Sequence, residues 1–212
     1  MVKITSYFII LLNILSRSLF LTFNYVRNKL NMMSLKGYLL RKNVSFYDDI
    51  ILLGGIKLNI NKKSNVSIGK SVICLGHGYT TECGLYSKIV VEKNASLRIG
   101  DKTGMSTCSL YCSKEISIGN CVKIGAGCKI MDTNFHALKW EERLDKSSDK
   151  KNRKCLPICI KDNVFIGTRC IICKGVTIGA NSIIAAGSVV VKDIPANCIA
   201  GGNPCKVIKF IE

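Results

Sequence analysis

From Ile160 to Val190 an aliphatic residue recurs at every sixth position: Ile160, Ile166, Ile172, Ile178, Ile184 and Val190. The fifth position of each hexad is small or β-branched, namely Val164, Cys170, Val176, Ser182 and Ser188. A helix would repeat near 3.6 residues and a simple strand would alternate, so neither explains a period of six. A parallel β-helix does, because short strands and tight turns then close one coil in three hexads. The first hexad position points into a triangular prism and stacks on its equivalent one coil later. This predicts Ile160 beneath Ile178, Ile166 beneath Ile184 and Ile172 beneath Val190. Gly167 and Gly179 follow the aliphatic at predicted corners, where a β-carbon would be costly.

The register appears upstream as Ile118-Gly119, Ile124-Gly125 and Ile130, with Val122 and Cys128 as the small inward residues. A longer echo relates Val91–Gly100 to Ile60–Gly69, 31 residues apart. Cys74 to Lys88 reads as an excursion with its own loop. Residues 136–157 break the repeat completely and carry Glu141, Glu142, Arg143 and a lysine-rich run ending at Lys154. A loop of that length inside a compact domain is uncommon and usually functional. It leaves just after Asn134-Phe135-His136, which is where chemistry is to be sought.

The first thirty residues differ in kind. Tyr7 to Val26 is largely apolar, and Asn13, Arg17, Asn24 and Asn28 fall on one narrow helical stripe. Arg17 inside the apolar run argues against a secretory signal. It would also cost a spanning helix about 3 kcal/mol or more at the bilayer centre. Two readings remain: a helix lying on a membrane surface, and a helix covering the open end of the coil, which repeat proteins need. The chain therefore divides into an apolar helix at 1–30 and one β-helix domain at 31–212 with an insertion at 136–157.

Bulk numbers refine this picture. A hydrophobic content of 48% with only 7% aromatics suits a prism filled by Ile and Val. The net charge of +17 suits solubility, or else an anionic ligand, polymer or membrane surface. Nucleic acid is disfavoured because no recognition helix, zinc pattern or aromatic RNA-binding motif is present. Twelve cysteines might suggest disulfides, yet Cys128 and Cys170 hold small inward positions where a buried thiol acts as a small hydrophobe. Cys170-Ile-Ile-Cys173 lacks a second pair, and with two histidines in the chain no metal site is expected. The thiols read as reduced and cytosolic. Gly69-Lys70-Ser71 mimics the tail of a phosphate loop, but position 64 is not glycine.

Three stretches resemble a known family. They are Asp132-Thr-Asn134-Phe-His136; Val164-Phe-Ile-Gly167 with Gly175-Val-Thr-Ile-Gly179; and Ala185-Ala-Gly-Ser-Val-Val-Val-Lys192-Asp-Ile-Pro195 continuing to Gly202-Asn-Pro-Cys-Lys206. Together they resemble the hexapeptide-repeat acyltransferases, in the branch of maltose, galactoside, xenobiotic and polysaccharide O-acetyltransferases. The resemblance covers about Ile60 to Lys209. It implies an all-β, left-handed parallel β-helix, here with an N-terminal hydrophobic or amphipathic helix. The left hand departs from the right-handed rule for parallel connections and is not readable from the period. Also implied are a homotrimer with each site between neighbouring prisms, and acetyl-CoA as co-substrate. Phe165 stands where the family often has Trp, and Cys205 where it often has Ala.

By the same resemblance His136 is the catalytic base. Imidazole suits the task, since its pKa near ~6.5 leaves a neutral base at cytosolic pH. The other histidine, His77, sits in Gly76-His77-Gly78 and reads as a surface residue. Asp132 and Asn134 precede His136 at strand spacing, so in a regular strand all three face one side. They then orient the imidazole or bind the acceptor sugar, or else only hydrogen-bond the turn. Ser106 matches a family position near the acceptor. Cofactor contacts fall at Thr168, Ala186, Val191, Lys192 and Lys206, the lysines meeting CoA phosphates.

The implied function is acetyl-CoA-dependent O-acetylation of a saccharide hydroxyl in surface-glycan synthesis, on a small-molecule or lipid-linked acceptor. It would be cytoplasmic, with peripheral membrane contact through residues 1–30. The alternatives are N-acetylation of an amino sugar or antibiotic, and a non-enzymatic repeat scaffold. A γ-type carbonic anhydrase needs three histidine ligands per site and fails on two histidines.

Overall fold

The computed structural model describes residues 2–76 and 86–211. His77, and most of the excursion read between Cys74 and Lys88, lie outside them. Within them, Ile73–Leu75 and Ser87–Val91 are ordinary coil strands, so the excursion is narrower than its sequence suggests.

Short strands stack into three sheets along one prism. Among the described residues these hold eight, six and five strands, each adding the strand of the next coil. The first sheet begins at Ile51–Leu53, the second at Ile56–Ile60 and the third at Asn65–Ile68. Among the described strands of these sheets pairing is parallel, apart from a final antiparallel strand, Lys206–Phe210, on Cys198–Gly201.

The hexad register is the packing register. Ile160 pairs with Ile178, Ile166 with Ile184 and Ile172 with Val190. Ile60 pairs with Val91 and Ile68 with Ile99, as the 31-residue echo requires. All these first-position residues are buried, and so are the small residues at the fifth position. Each buried Ile or Val contributes about 1.5–3 kcal/mol, so the core is a sum of repeated equal steps.

The corner glycines act by close approach. A Cβ on Gly179 would lie 2.3 Å from the Ala196 nitrogen, and one on Gly167 would lie 2.6 Å from that of Ala186. Left-handed backbone is carried instead by neighbours such as Asn163, Asn181 and Asn197, with φ of 60°, 59° and 55°. Asn tolerates this region better than most residues. Their side chains form a ladder, Asn163 Nδ2 donating to Asn181 Oδ1 at 3.0 Å and Asn181 Nδ2 to Asn197 Oδ1 at 2.8 Å.

Helix α1 spans Val2–Arg41, well past the boundary at 30 that the apolar run implies. Residues 31–41 hold mostly helix-compatible types, and the stop comes at Asn43. Asn43 has φ of 57°, and the Val44 N–H returns to the Leu39 carbonyl at 3.1 Å, a left-handed C-terminal cap. The last turns of α1 cover the start of the prism. Leu39 is buried, Leu35 and Tyr38 pack on the core, and Tyr38 Oη accepts the Ile60 N–H at 3.0 Å. Among the described residues no helix is long and apolar enough to cross a membrane.

Candidate active site

The insertion leaves the corner between the second and third sheets through a narrow antiparallel neck. Thr133 bridges Cys155, the Asn134 N–H donates to the Lys154 carbonyl at 3.0 Å, and the Leu156 N–H donates to that of Asp132 at 2.9 Å. Beyond the neck come a 3-10 turn at Glu141–Leu144 and helix α2 at Lys146–Asn152. Asp145 caps α2 by accepting the Ser148 N–H at 2.8 Å.

The strand carrying the Asp-x-Asn-x-His motif is not regular, so its three polar residues do not share a face. Asp132 is fully buried. Its carboxylate accepts the N–H groups of Ser113, Lys114 and Glu115 at 2.7, 2.7 and 2.8 Å. Burial pushes its pKa upward against the pull of those three donors. This corrects the acceptor-binding and imidazole-orienting readings of Asp132: both oxygens hold the adjacent corner. Phe135 then adopts φ of 65°, with its N–H on Thr133 Oγ1 at 3.0 Å and its ring edge-on to Tyr111 at 4.7 Å. A bulky residue in that region is a backbone outlier, and it swings His136 out of the strand. Asn134 stays half-buried in the neck.

His136 projects into solvent, its side chain 68% exposed. Its Nδ1 lies 2.7 Å from Asp149 Oδ2, while Asp149 Oδ1 accepts the Ala137 N–H at 2.7 Å. The Ala137 N–H and then the imidazole hold the Asp149 carboxyl below its ordinary pKa. With Nδ1–H donating to a carboxylate, Nε2 is left as the basic atom. Arg143 braces the turn by donating to the carbonyls of Ala137 and Leu138 at 2.9 and 2.8 Å. Asp149 was not among the expected site residues. Its one sequence signal is that it is the lone acid in the run Lys146–Lys154.

A second anchor holds the far end of the insertion. Arg153 pairs with Glu92 on the prism, and Tyr111 Oη donates to Glu92 Oε1 at 2.9 Å. Burial pushes the Glu92 carboxyl up, but the guanidinium and the phenol outweigh it and the net shift is downward. Tyr111 also supports Phe135, so both anchors meet beneath the histidine. A groove of about 650 Å³ opens beside them, walled by Asn59, Asn61, Lys93, Tyr111, Ser113 and Lys150.

The remaining site residues separate into two groups. Ser106, Thr168 and Ala186 stand on the corner between the first and second sheets, Ser106 half-buried and the other two exposed. Lys206 lies at the top of this corner, opposite Gly201. Beside Ser106, Thr107 is buried with φ of 38°, its hydroxyl lacking a hydrogen-bond partner among the described residues. Val191 and Lys192 are exposed on the next corner, the one that bears the insertion. Six Cα steps along the coil separate Ala126 from Asp132, so the corners are roughly 15–20 Å apart at ~3.3 Å per residue. His136 and the Thr168–Ala186 pair therefore belong to different corners of the prism. Among the described residues no cluster of His, Cys, Asp or Glu has metal-ligating geometry.

Comparison with known proteins agrees with this architecture. The family model "Bacterial transferase hexapeptide (six repeats)" matches residues 160–192. The galactoside O-acetyltransferase of Escherichia coli (strain K12) is 58% identical over 56 residues, 26% of this chain and 28% of that protein. The chain spans under half the length of the first curated relatives it matches, between 28% and 44%. A hexapeptide-repeat acetyltransferase from Vibrio cholerae is 30% identical with a TM-score of 0.56, covering 68% of this chain and 73% of that one. The same protein complexed with acetyl coenzyme A is 29% identical with a TM-score of 0.51, covering 74% and 72%. A polysialic-acid-specific acetyltransferase is 26% identical with a TM-score of 0.63, covering 79% and 71%.

Proposed function

The chain belongs to the hexapeptide-repeat acetyltransferases, and from that premise we propose that it transfers acetyl from acetyl-CoA to a hydroxyl of a saccharide. The observation that carries the reading is the exposed His136, its Nδ1 held by Asp149 and its Nε2 left basic. Nε2 takes the acceptor hydroxyl proton as that oxygen attacks the acetyl carbonyl, and returns it to the departing sulfur. Asp149 fixes the tautomer and balances the positive charge that forms on the ring between those steps.

Acetyl-CoA supplies the activated thioester. The residues present fit its elongated arm. Thr168 and Ala186 are small exposed residues along the corner, and Lys206 at its top offers charge to phosphates. Because that corner and His136 lie apart in one prism, the working site forms between two copies, His136 of one facing Ser106, Thr168 and Ala186 of the next. Three copies close the ring as a homotrimer. Ser106 and Asn134 contact the acceptor, and Lys192 assists from the insertion corner. The acceptor is a surface-glycan precursor met in the cytoplasm at the membrane face. Kinship to the Escherichia coli galactoside enzyme and the polysialic-acid enzyme favours a sugar hydroxyl over an amine.

The test is thiol release from acetyl-CoA against sugars, nucleotide sugars and amino sugars, with the product identified by mass spectrometry. An alkali-labile ester on the sugar supports the reading. An amide on an amino sugar, with no ester on any hydroxyl, overturns it.

A further inference from the structure

Helix α1 presents two faces of different use. Leu35, Tyr38 and Leu39 meet the prism. At about 100° per residue, Leu19, Phe23, Val26, Leu30, Met33 and Leu40 fall within an arc about 100° wide on the opposite side. Those six are 72%, 65%, 49%, 61%, 61% and 65% exposed, a continuous apolar stripe left in water. Scattered apolar residues need no explanation, but a contiguous stripe marks an interaction surface.

Charge identifies the occupant. Between Val2 and Arg41 there is no acidic residue, and Lys3, Arg17, Arg27, Lys29, Lys36 and Arg41 are all basic. On the wheel Lys29 borders one edge of the stripe, Arg27 borders the other and Arg41 lies at that margin, while the Lys36 ammonium is tied to the Asp48 carbonyl. A second α1 laid on the stripe would set cation against cation at these flanking positions, where paired helices normally place opposite charges. An anionic lipid surface satisfies both the stripe and its flanks.

We infer that α1 binds anionic membrane through the Leu19–Leu40 stripe while its opposite face caps the prism, so that one helix serves both purposes at once. This rests on the membrane-face location proposed above and is separable from acetyl transfer. The two roles that the sequence left as alternatives then belong to different faces of the same helix. The prism stands on the water side, with lipid beneath.

The test uses the full-length protein, sedimented with vesicles of phosphatidylcholine alone or of phosphatidylcholine and phosphatidylserine in equal parts. Wild type pellets with the anionic vesicles only, and less so in high salt. Arg27→Gln with Lys29→Gln weakens the partition by roughly fivefold per cation removed. Phe23→Asn with Leu30→Asn keeps the protein in the supernatant, with an unchanged melting transition and unchanged thiol release on a soluble acceptor. Retention of wild type in the supernatant at low salt overturns the inference, as does equal pelleting of the Asn variant. Sedimentation velocity without lipid covers the remaining occupant. If the Asn pair lowers the oligomeric state, the stripe joins copies of the chain and lipid is the wrong partner. Loss of thiol release alone would strike the enzymatic reading and leave this one standing.

Discussion

His136 Nδ1 meets Asp149 Oδ2 at 2.7 Å across thirteen residues of insertion. The same carboxylate accepts the Ala137 N–H, so one acid fixes both the imidazole and the backbone that bears it. The insertion thus earns its length by bringing a partner to a histidine that the strand alone would leave unsupported.

His136→Ala should lower turnover by roughly 10²–10⁴-fold while CoA binding stays near wild type. Asp149→Asn should lower kcat with little change in KM, because it removes the orienting charge and leaves the binding corners intact. Steady-state kinetics with calorimetry of CoA binding read both outcomes. Wild-type turnover in His136→Ala would move the base elsewhere.

If the site spans two copies, defects in different halves should complement. A Thr168→Trp variant blocks the corner and His136→Ala removes the base, so each alone is inactive. Subunits exchanged between them should form mixed trimers with one intact site and regain measurable turnover. Persistent inactivity after verified exchange would place the site within one chain.

Acid should release the insertion. Asp149 and Glu92 both have folded pKa values below their ordinary ones. Their contribution is therefore present above the ordinary carboxylate range, near pH 4, and is lost as pH falls through the lowered values. Trp140, the only tryptophan, is exposed on the insertion and reports the change by fluorescence. A transition between pH 5 and 7 would mean that some other group holds the segment.

Asp132→Ala should behave as a stability variant. It removes the buried carboxylate that holds three N–H donors of a partly exposed corner, a loss of about 1.5–3 kcal/mol. A thermal melt should show a lowered transition, and activity per folded molecule should survive. A selective rise in acceptor KM at unchanged stability would restore Asp132 to the acceptor site.

Two glycines separate close approach from backbone conformation. Gly179→Ala drives a methyl to 2.3 Å from the next coil and should prevent stacking there. Gly187→Ala meets nothing within 4 Å at φ of 72° and should cost only about 1–2 kcal/mol. Chemical denaturation of both variants tests the contrast; equal losses would refute it.

The prism was legible in the chain because its period is rigid. Ile166, Ile172, Ile178 and Ile184 each announce the next coil, and all four are buried. Asp132 misled because its spacing to His136 assumes a regular strand, whereas Phe135 breaks the alternation with a left-handed backbone. Asp149 and the Arg153–Glu92 pair were hidden for another reason. Asp149 and Arg153 stand outside the repeats, and 61 residues separate Arg153 from Glu92, so only folding brings them together. The end of α1 was missed because apolar runs mark burial in lipid or core, while helices stop where caps permit, here at Asn43.

A parallel solenoid has no inherent length, since each coil leaves a fresh edge on which another can form. Here the last added strand, Lys206–Phe210, runs antiparallel to Cys198–Gly201, which reverses the template on the first sheet. At the other end, the buried Leu39 plugs the bore. Joining prism to prism would require displacing one of these stoppers. On the first sheet the edge that would otherwise template another coil is thus reversed within a single chain.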